Sequence, residues 1–164
     1  MTAEEVVKKL GLEPLEHEGG FFSRVFTSAQ SVEAVGAERP AGTVIFFLVT
    51  PNDFSALHLL GLTEFYTHLA GDLLELTILD PAQSTEKTLK LGPITNPDAV
   101  LSFCVPPGVW QGSRLGESRE HGWALVSCTL APGFHWSDFE LGERAKLQAA
   151  FPDSAEIIEH LTRS

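Results

Sequence analysis

Residues 54–72, FSALHLLGLTEFYTHLAGD, set His58, Glu64, Tyr66 and His68 in an otherwise apolar stretch. A histidine exchanges protons near neutral pH. A glutamate beside it fixes its tautomer, or acts as a base itself when burial raises its pKa. A tyrosine adds a hydroxyl that donates a proton or a hydrogen bond. The same residues also have a structural reading. A buried His–Glu pair satisfies itself by hydrogen bonding, with Tyr66 in the core and His68 at a rim. With a tight turn centred on Gly61, strand alternation sets Leu60 opposite Leu62, His58 opposite Glu64, Ala56 opposite Tyr66 and Phe54 opposite His68. The expectation is a hairpin that carries its polar groups on one face. Glu64 and His68 lie on one strand, about 13 Å apart at roughly 3.3 Å per residue, so they do not share one ion on a straight strand.

The elements that must hold this stretch are mostly strands. Thr2 with Glu5 forms a capping box and Gly11 a helix stop, so residues 3–10 read as a short helix. EHEGGFF breaks it at paired glycines, FFSRVFTS reads as a strand, and residues 29–41 as a loop. TVIFFLVT is apolar on both faces and reads as a strand covered on both sides, its outer side by a partner subunit. Short strands follow at 54–60, 62–69, 73–79, 86–91, 100–105, 109–115 and 122–131, each bounded by Gly, Pro, Asn or Asp. Residues 137–150 have helical composition, and Asp153 with Glu156 caps a last helix, AEIIEHLT. Evenly spaced strands with helices at the ends predict an all-β sandwich or barrel with terminal helices, organised as one domain over 1–164.

Composition narrows the partners. The formal net charge of -11 speaks against nucleic acid or an anionic membrane, and the few basic residues form no stripe. No apolar run reaches membrane-spanning length, and MTAEEVVKKLGL lacks the apolar centre of a signal peptide, so a cytoplasmic protein is expected. Cys104 and Cys128, far apart and in apolar segments, read as reduced core thiols. Phosphate-loop, dinucleotide and nucleophile-elbow motifs are absent.

His58, then Glu64, then Gly71 matches the first motif of the cupins, and VPPGVWQG matches the frame of the second. HEGGFF, THLAGDLLEL, VPPGVWQG and CTLAPGFHWSDFELGERAKL together resemble one cupin branch, a domain of unknown function, over about residues 3–152. The resemblance implies a single cupin-type double-stranded β-helix, a jelly-roll barrel, with an internal pocket and a homodimeric state. The sequence departs from the pattern at several positions. Leu60 and Gln111 stand where two metal-ligating histidines would be, Leu57-His58-Leu59 replaces Trp-His-Arg, and His68 replaces an aromatic residue. A tightly held zinc or iron needs three or four good donors. The matching set offers His58, Glu64 and the neutral amide of Gln111, which predicts no tightly held metal. A weakly held divalent metal would sit on those three residues.

Without a metal the same residues make a polar patch in an apolar pocket. His58, Glu64 and Tyr66 are the candidate catalytic residues, and Gln111 and His68 candidate ligand contacts. Trp110 and Phe47 would form a stacking wall for a carbohydrate-like ring. Glu18, in the glycine bend, reads as a cap or ion-pair partner. Three functions fit. The first is a metal-independent epimerase-, isomerase- or lyase-like enzyme on a small polar substrate, by analogy with cupin sugar epimerases. The second is a module that binds or senses a small molecule, and the third a metal-dependent cupin enzyme.

Overall fold

The structure is a computed structural model, and it describes residues 1–117 and 119–163. In chain order its elements are α1 (Ala3–Leu10), β1 (Glu13–Pro14), β2 (Phe21–Thr27), β3 (Ser31–Ala34), β4 (Ala37–Pro40), β5 (Thr43–Val49), β6 (Ser55–Leu60) and β7 (Glu64–Gly71). There follow β8 (Leu74–Asp80), β9 (Thr85–Leu91), β10 (Ser102–Val105), β11 (Trp110–Leu115), β12 (Ala124–Leu130), β13 (Phe139–Leu141), α2 (Arg144–Ala150) and α3 (Ala155–His160). Two antiparallel sheets pack face to face. One has the order β1-β2-β5-β12-β7-β10 and the other β13-β6-β11-β8-β9. This is the jelly-roll arrangement, all-β with terminal helices. Among the described residues no helix is long and apolar enough to cross a membrane.

Alternation fixes which residues face inward. On β7, Glu64, Tyr66 and His68 are buried, while Phe65 and Leu69 are exposed on the outer face. Inward residues of both sheets, among them Phe47, Val49, Tyr66, Leu76, Ile78 and Val126, form the main core. Helices cover part of each outer face. Val6 of α1 packs with Leu48, Leu125 and Trp123, and Leu147, Phe151, Ile158 and Leu161 of the C-terminal helices pack on Leu57 and Leu79.

Several expectations need correction. β6 and β7 do not form a hairpin. β6 pairs with β11 and β13, and β7 with β12 and β10, so the chain crosses between sheets after Leu60. The pairings Leu60–Leu62, His58–Glu64, Ala56–Tyr66 and Phe54–His68 are therefore not register contacts. Residues 29–41 contain the β3–β4 hairpin rather than a loop. Residues 137–150 are not one helix, since a single 3-10 turn and β13 precede α2. On the outer side of β5, Phe46 and Leu48 pack against the chain's own α1. Cys128 is buried as expected, whereas Cys104 is exposed on the outer face of β10. The α1 capping box and the left-handed Gly11 cap are as expected.

The AGD run of the sequence has a structural role. The Asp72 carboxylate is buried and accepts N–H groups from Glu120 (2.9 Å), His121 (3.0 Å) and Gly122 (2.7 Å), pinning the 119–122 loop to the end of β7. Asp72→Ala would strand these donors, and we expect a loss of about 2–4 kcal/mol in urea unfolding, from lost charge-assisted bonds and unpaired amides. A change under about 0.5 kcal/mol would show that solvent satisfies the loop instead.

Candidate functional site

Register places the site. On the six-stranded sheet, Arg24, Ile45, Cys128 and Tyr66 are neighbours on β2, β5, β12 and β7. The adjacent row runs Thr43, Leu130, Glu64. On the facing sheet, His58 of β6 lies beside Gln111 of β11. Between the two sheets is a cavity of about 170 Å³, lined by these residues except Gln111, with Glu18, Leu60 and Phe47. One side of its mouth is aromatic: Phe134, Trp136 and Phe139.

His58 and Glu64 thus reach one cavity from opposite sheets. The His58 Nδ1–H donates to the Ala56 carbonyl at 2.9 Å, because a carbonyl can only accept. That bond places the neutral ring's proton on Nδ1 and leaves Nε2 as its lone pair. The ring stacks on Phe139, centroids 5.3 Å apart. Gln111 donates an amide N–H to Glu64 Oε2 at 2.7 Å, joining β11 to β7 across the sandwich. The Gln111 Oε1 has no partner. Burial, helped by the nearby Glu18 charge, pushes the Glu64 carboxyl up to about 7 against the opposing pull of His58, Gln111 and Tyr66. Burial also raises the Tyr66 hydroxyl and the Cys128 thiol well above their ordinary ranges, and the Glu64 carboxyl adds to both. Both therefore stay protonated beside Glu64.

Glu18 lines the cavity, although the sequence favours a cap or ion-pair partner over a catalytic group at this position. Its carboxylate accepts from the Ser55 hydroxyl at 2.7 Å and lies 4.0 Å from His58 Nδ1. The paired glycines bring it there. Gly19 and Gly20 have φ of 99° and 72°, and a Cβ on Gly20 would meet the Phe47 ring at 2.7 Å. The backbone thus runs directly against the cavity wall.

Of the other sequence candidates, Phe47 lines the cavity. His68 does not. It bonds through Nε2 to the Asp72 carbonyl at 3.0 Å, toward the far end of β7. Trp110 is one residue out of phase with Gln111, so it packs outward with Leu57, Leu79 and the C-terminal helices and offers no stacking wall. Leu60 presents only alkyl surface to the cavity. The mouth aromatics and Arg24 escaped the sequence reading, although Trp136 and Phe139 lie in the CTLAPGFHWSDFELGERAKL segment.

Among the described residues, no three His, Cys, Asp or Glu side chains gather into a metal-binding group. The donor chemistry at the cupin positions gives the physical reason. Leu60 has no donor atom and Gln111 turns an N–H toward Glu64, which leaves His58 Nε2 and the Glu64 carboxyl as the only good donors among these four positions. This set does not fit a tightly held zinc or iron.

Comparison with known proteins agrees with this architecture. The family described as Cupin superfamily (DUF985) matches residues 4–142. No curated protein matches the chain. A hypothetical protein from Leishmania major is 32% identical, with TM-score 0.92 and 100% of both chains covered. A protein from Shewanella oneidensis is 29% identical, with TM-score 0.89 and 99% of this chain and 98% of that one covered. A dTDP sugar isomerase from Desulfovibrio desulfuricans, 18% identical with TM-score 0.53 over 80% of this chain and 87% of its own, shares the fold alone. Two sheets packed face to face, an internal cavity carrying His58 and Glu64, and a family match over most of its length make this chain a member of the cupin superfamily, in the branch described as DUF985.

Proposed function

We propose that the cavity binds a small polar, carbohydrate-like molecule and transforms it by proton transfer without a metal, as an epimerase, isomerase or lyase does. The observation that carries this reading is the Glu64 carboxyl, buried in the cavity wall with a pKa raised to about 7, in a cavity it shares with His58. A general acid or base works best when its pKa lies near the operating pH. Proton removal next to a carbonyl begins all three reaction types. In this reading Glu64 and His58 Nε2 exchange the proton, and Tyr66, which remains protonated, donates to the substrate oxygen. The cavity of about 170 Å³ is below the roughly 300–1,000 Å³ of drug-sized sites, which supports a single small ring or short chain as ligand. The likeness to the sugar isomerase is one of fold and adds nothing about substrate.

A non-catalytic binding module is the competing reading, favoured by Leu60 and Gln111 at two of the four usual ligand positions. Solvent-exchange NMR separates the two. In deuterated buffer with a panel of aldoses, ketoses and sugar acids, the wild-type protein should incorporate deuterium next to the carbonyl of its substrate. His58→Ala and Glu64→Gln should remain folded and lose that exchange by roughly 10²–10⁴-fold. Full exchange by His58→Ala would sink the catalytic reading, and a ligand that raises Tm without exchange would favour the binding module.

The raised pKa of Glu64 also sets a pH dependence of stability. Folding lifts this group from 4.5 to about 7, so the folded state holds the proton more tightly than the unfolded chain. Its contribution is complete below the unfolded pKa and is lost as pH rises through the folded one. Glu64→Gln is neutral at every pH. Relative to wild type it should gain stability between pH 4.5 and 8.5, by about 3 kcal/mol at most. Urea unfolding at both pH values measures this, and parallel pH curves for the two proteins would contradict it.

A further inference from the structure

Trp136 and Arg24 at the cavity have no part in the chemistry assigned above. Trp136 lines the cavity yet is 61% exposed, a large aromatic surface left in water. It is held edge-on between Phe134 (5.0 Å) and Phe139 (5.7 Å), and Phe139 in turn stacks on His58. The segment that carries it is anchored. His135 accepts the Ser137 N–H, and the next residue, Asp138, forms a forked ion pair with the buried Arg39 of β4. The result is a fixed aromatic ladder from the mouth to His58.

Arg24 contributes a cation to the cavity wall. Among the described residues its guanidinium makes no hydrogen bond and no ion pair. Partial burial lowers its pKa, and no carboxylate offsets the cost. The side chain keeps contact with solvent, so an anion entering from water reaches a guanidinium that has no protein partner to give up. It stands on the same sheet row as Tyr66, three strand spacings away, roughly 14 Å between backbones at about 4.8 Å each. The long arginine side chain covers part of that span, leaving room for one ring and one substituent.

We propose that the cavity selects a sugar acid: a single pyranose-like ring whose apolar face stacks on Trp136 and whose carboxylate pairs with Arg24. This rests on the reading of the cavity as a small-molecule site, but not on turnover. A monocarboxylate fits better than a phosphate dianion, because one arginine faces a cavity that also contains Glu18 and Glu64.

Isothermal titration with glucuronate, galacturonate, the matching neutral sugars and the matching sugar phosphates tests the selection. We expect one of the uronates to bind more tightly than its neutral and phosphorylated counterparts. Arg24→Met should weaken that uronate by about tenfold or more, leaving the neutral sugar unaffected. Trp136→Ala should weaken both sugars by about tenfold. Since both side chains are exposed, melting temperatures should stay near wild type, which separates lost binding from lost fold. No uronate binding at millimolar concentration, uronate binding indifferent to Arg24→Met, or tighter binding of a sugar phosphate would each overturn the assignment. Deuterium exchange followed on the same samples keeps the two readings apart. Arg24-dependent uronate binding without exchange upholds the selection and sinks catalysis. Exchange on a neutral sugar that needs His58 but not Arg24 does the reverse.

Discussion

The bond from Gln111 to Glu64 is the contact on which the site depends. It joins the two sheets inside the sandwich, and it holds a carboxyl group in an apolar cavity where ionisation is costly. The Gln111 amide, the Tyr66 hydroxyl and the nearby His58 together do not repay that cost, so the carboxyl's pKa rises toward neutrality. A histidine at position 111 would offer a cation or a metal ligand instead and would draw Glu64 toward its charged form. The replacements at 60 and 111 therefore act together. They leave two good donors at the four cupin positions and a buried carboxyl whose pKa is raised to about 7.

Around Glu64, burial and the Glu18 charge maintain that condition against the pull of His58, Gln111 and Tyr66. Tyr66 and Cys128 stay protonated beside it, and the alkyl surface of Leu60 and Ile45 keeps the wall apolar. The bond to the Ala56 carbonyl fixes the His58 proton on Nδ1. Glu18 adds a second negative charge, which reinforces the protonated form of Glu64. The aromatic mouth closes one side through Phe139, whose ring lies on His58.

Much of this was legible in the sequence, by way of local rules. Alternating apolar residues and Gly or Pro breaks located the strands, and Thr2, Glu5 and Gly11 fixed the first helix. The cupin motifs located His58, Glu64 and Gln111. Local rules failed where the chain changes sheets. A glycine between two apolar strands reads as a hairpin, but in a jelly roll successive strands often belong to opposite sheets. His58 and Glu64 share a cavity for that reason and not by cross-strand pairing. Alternation also explains the misplaced Trp110, since the residue next to an inward Gln111 must point outward. Glu18, Arg24 and Trp136 were illegible because each reaches the cavity only through long-range packing: the glycine bend against Phe47, the register of β2 on β5, and the Arg39–Asp138 anchor.

The most direct test of the account is the titration of Glu64 itself. Protein labelled with carbon-13 at the glutamate side-chain carboxyl, recorded beside Glu64→Gln to assign the signal, reports its midpoint by NMR. A midpoint near 7 is expected. A midpoint near the ordinary 4.5 would mean that Glu64 is ionised throughout the neutral range, and the proposed acid–base role would not stand.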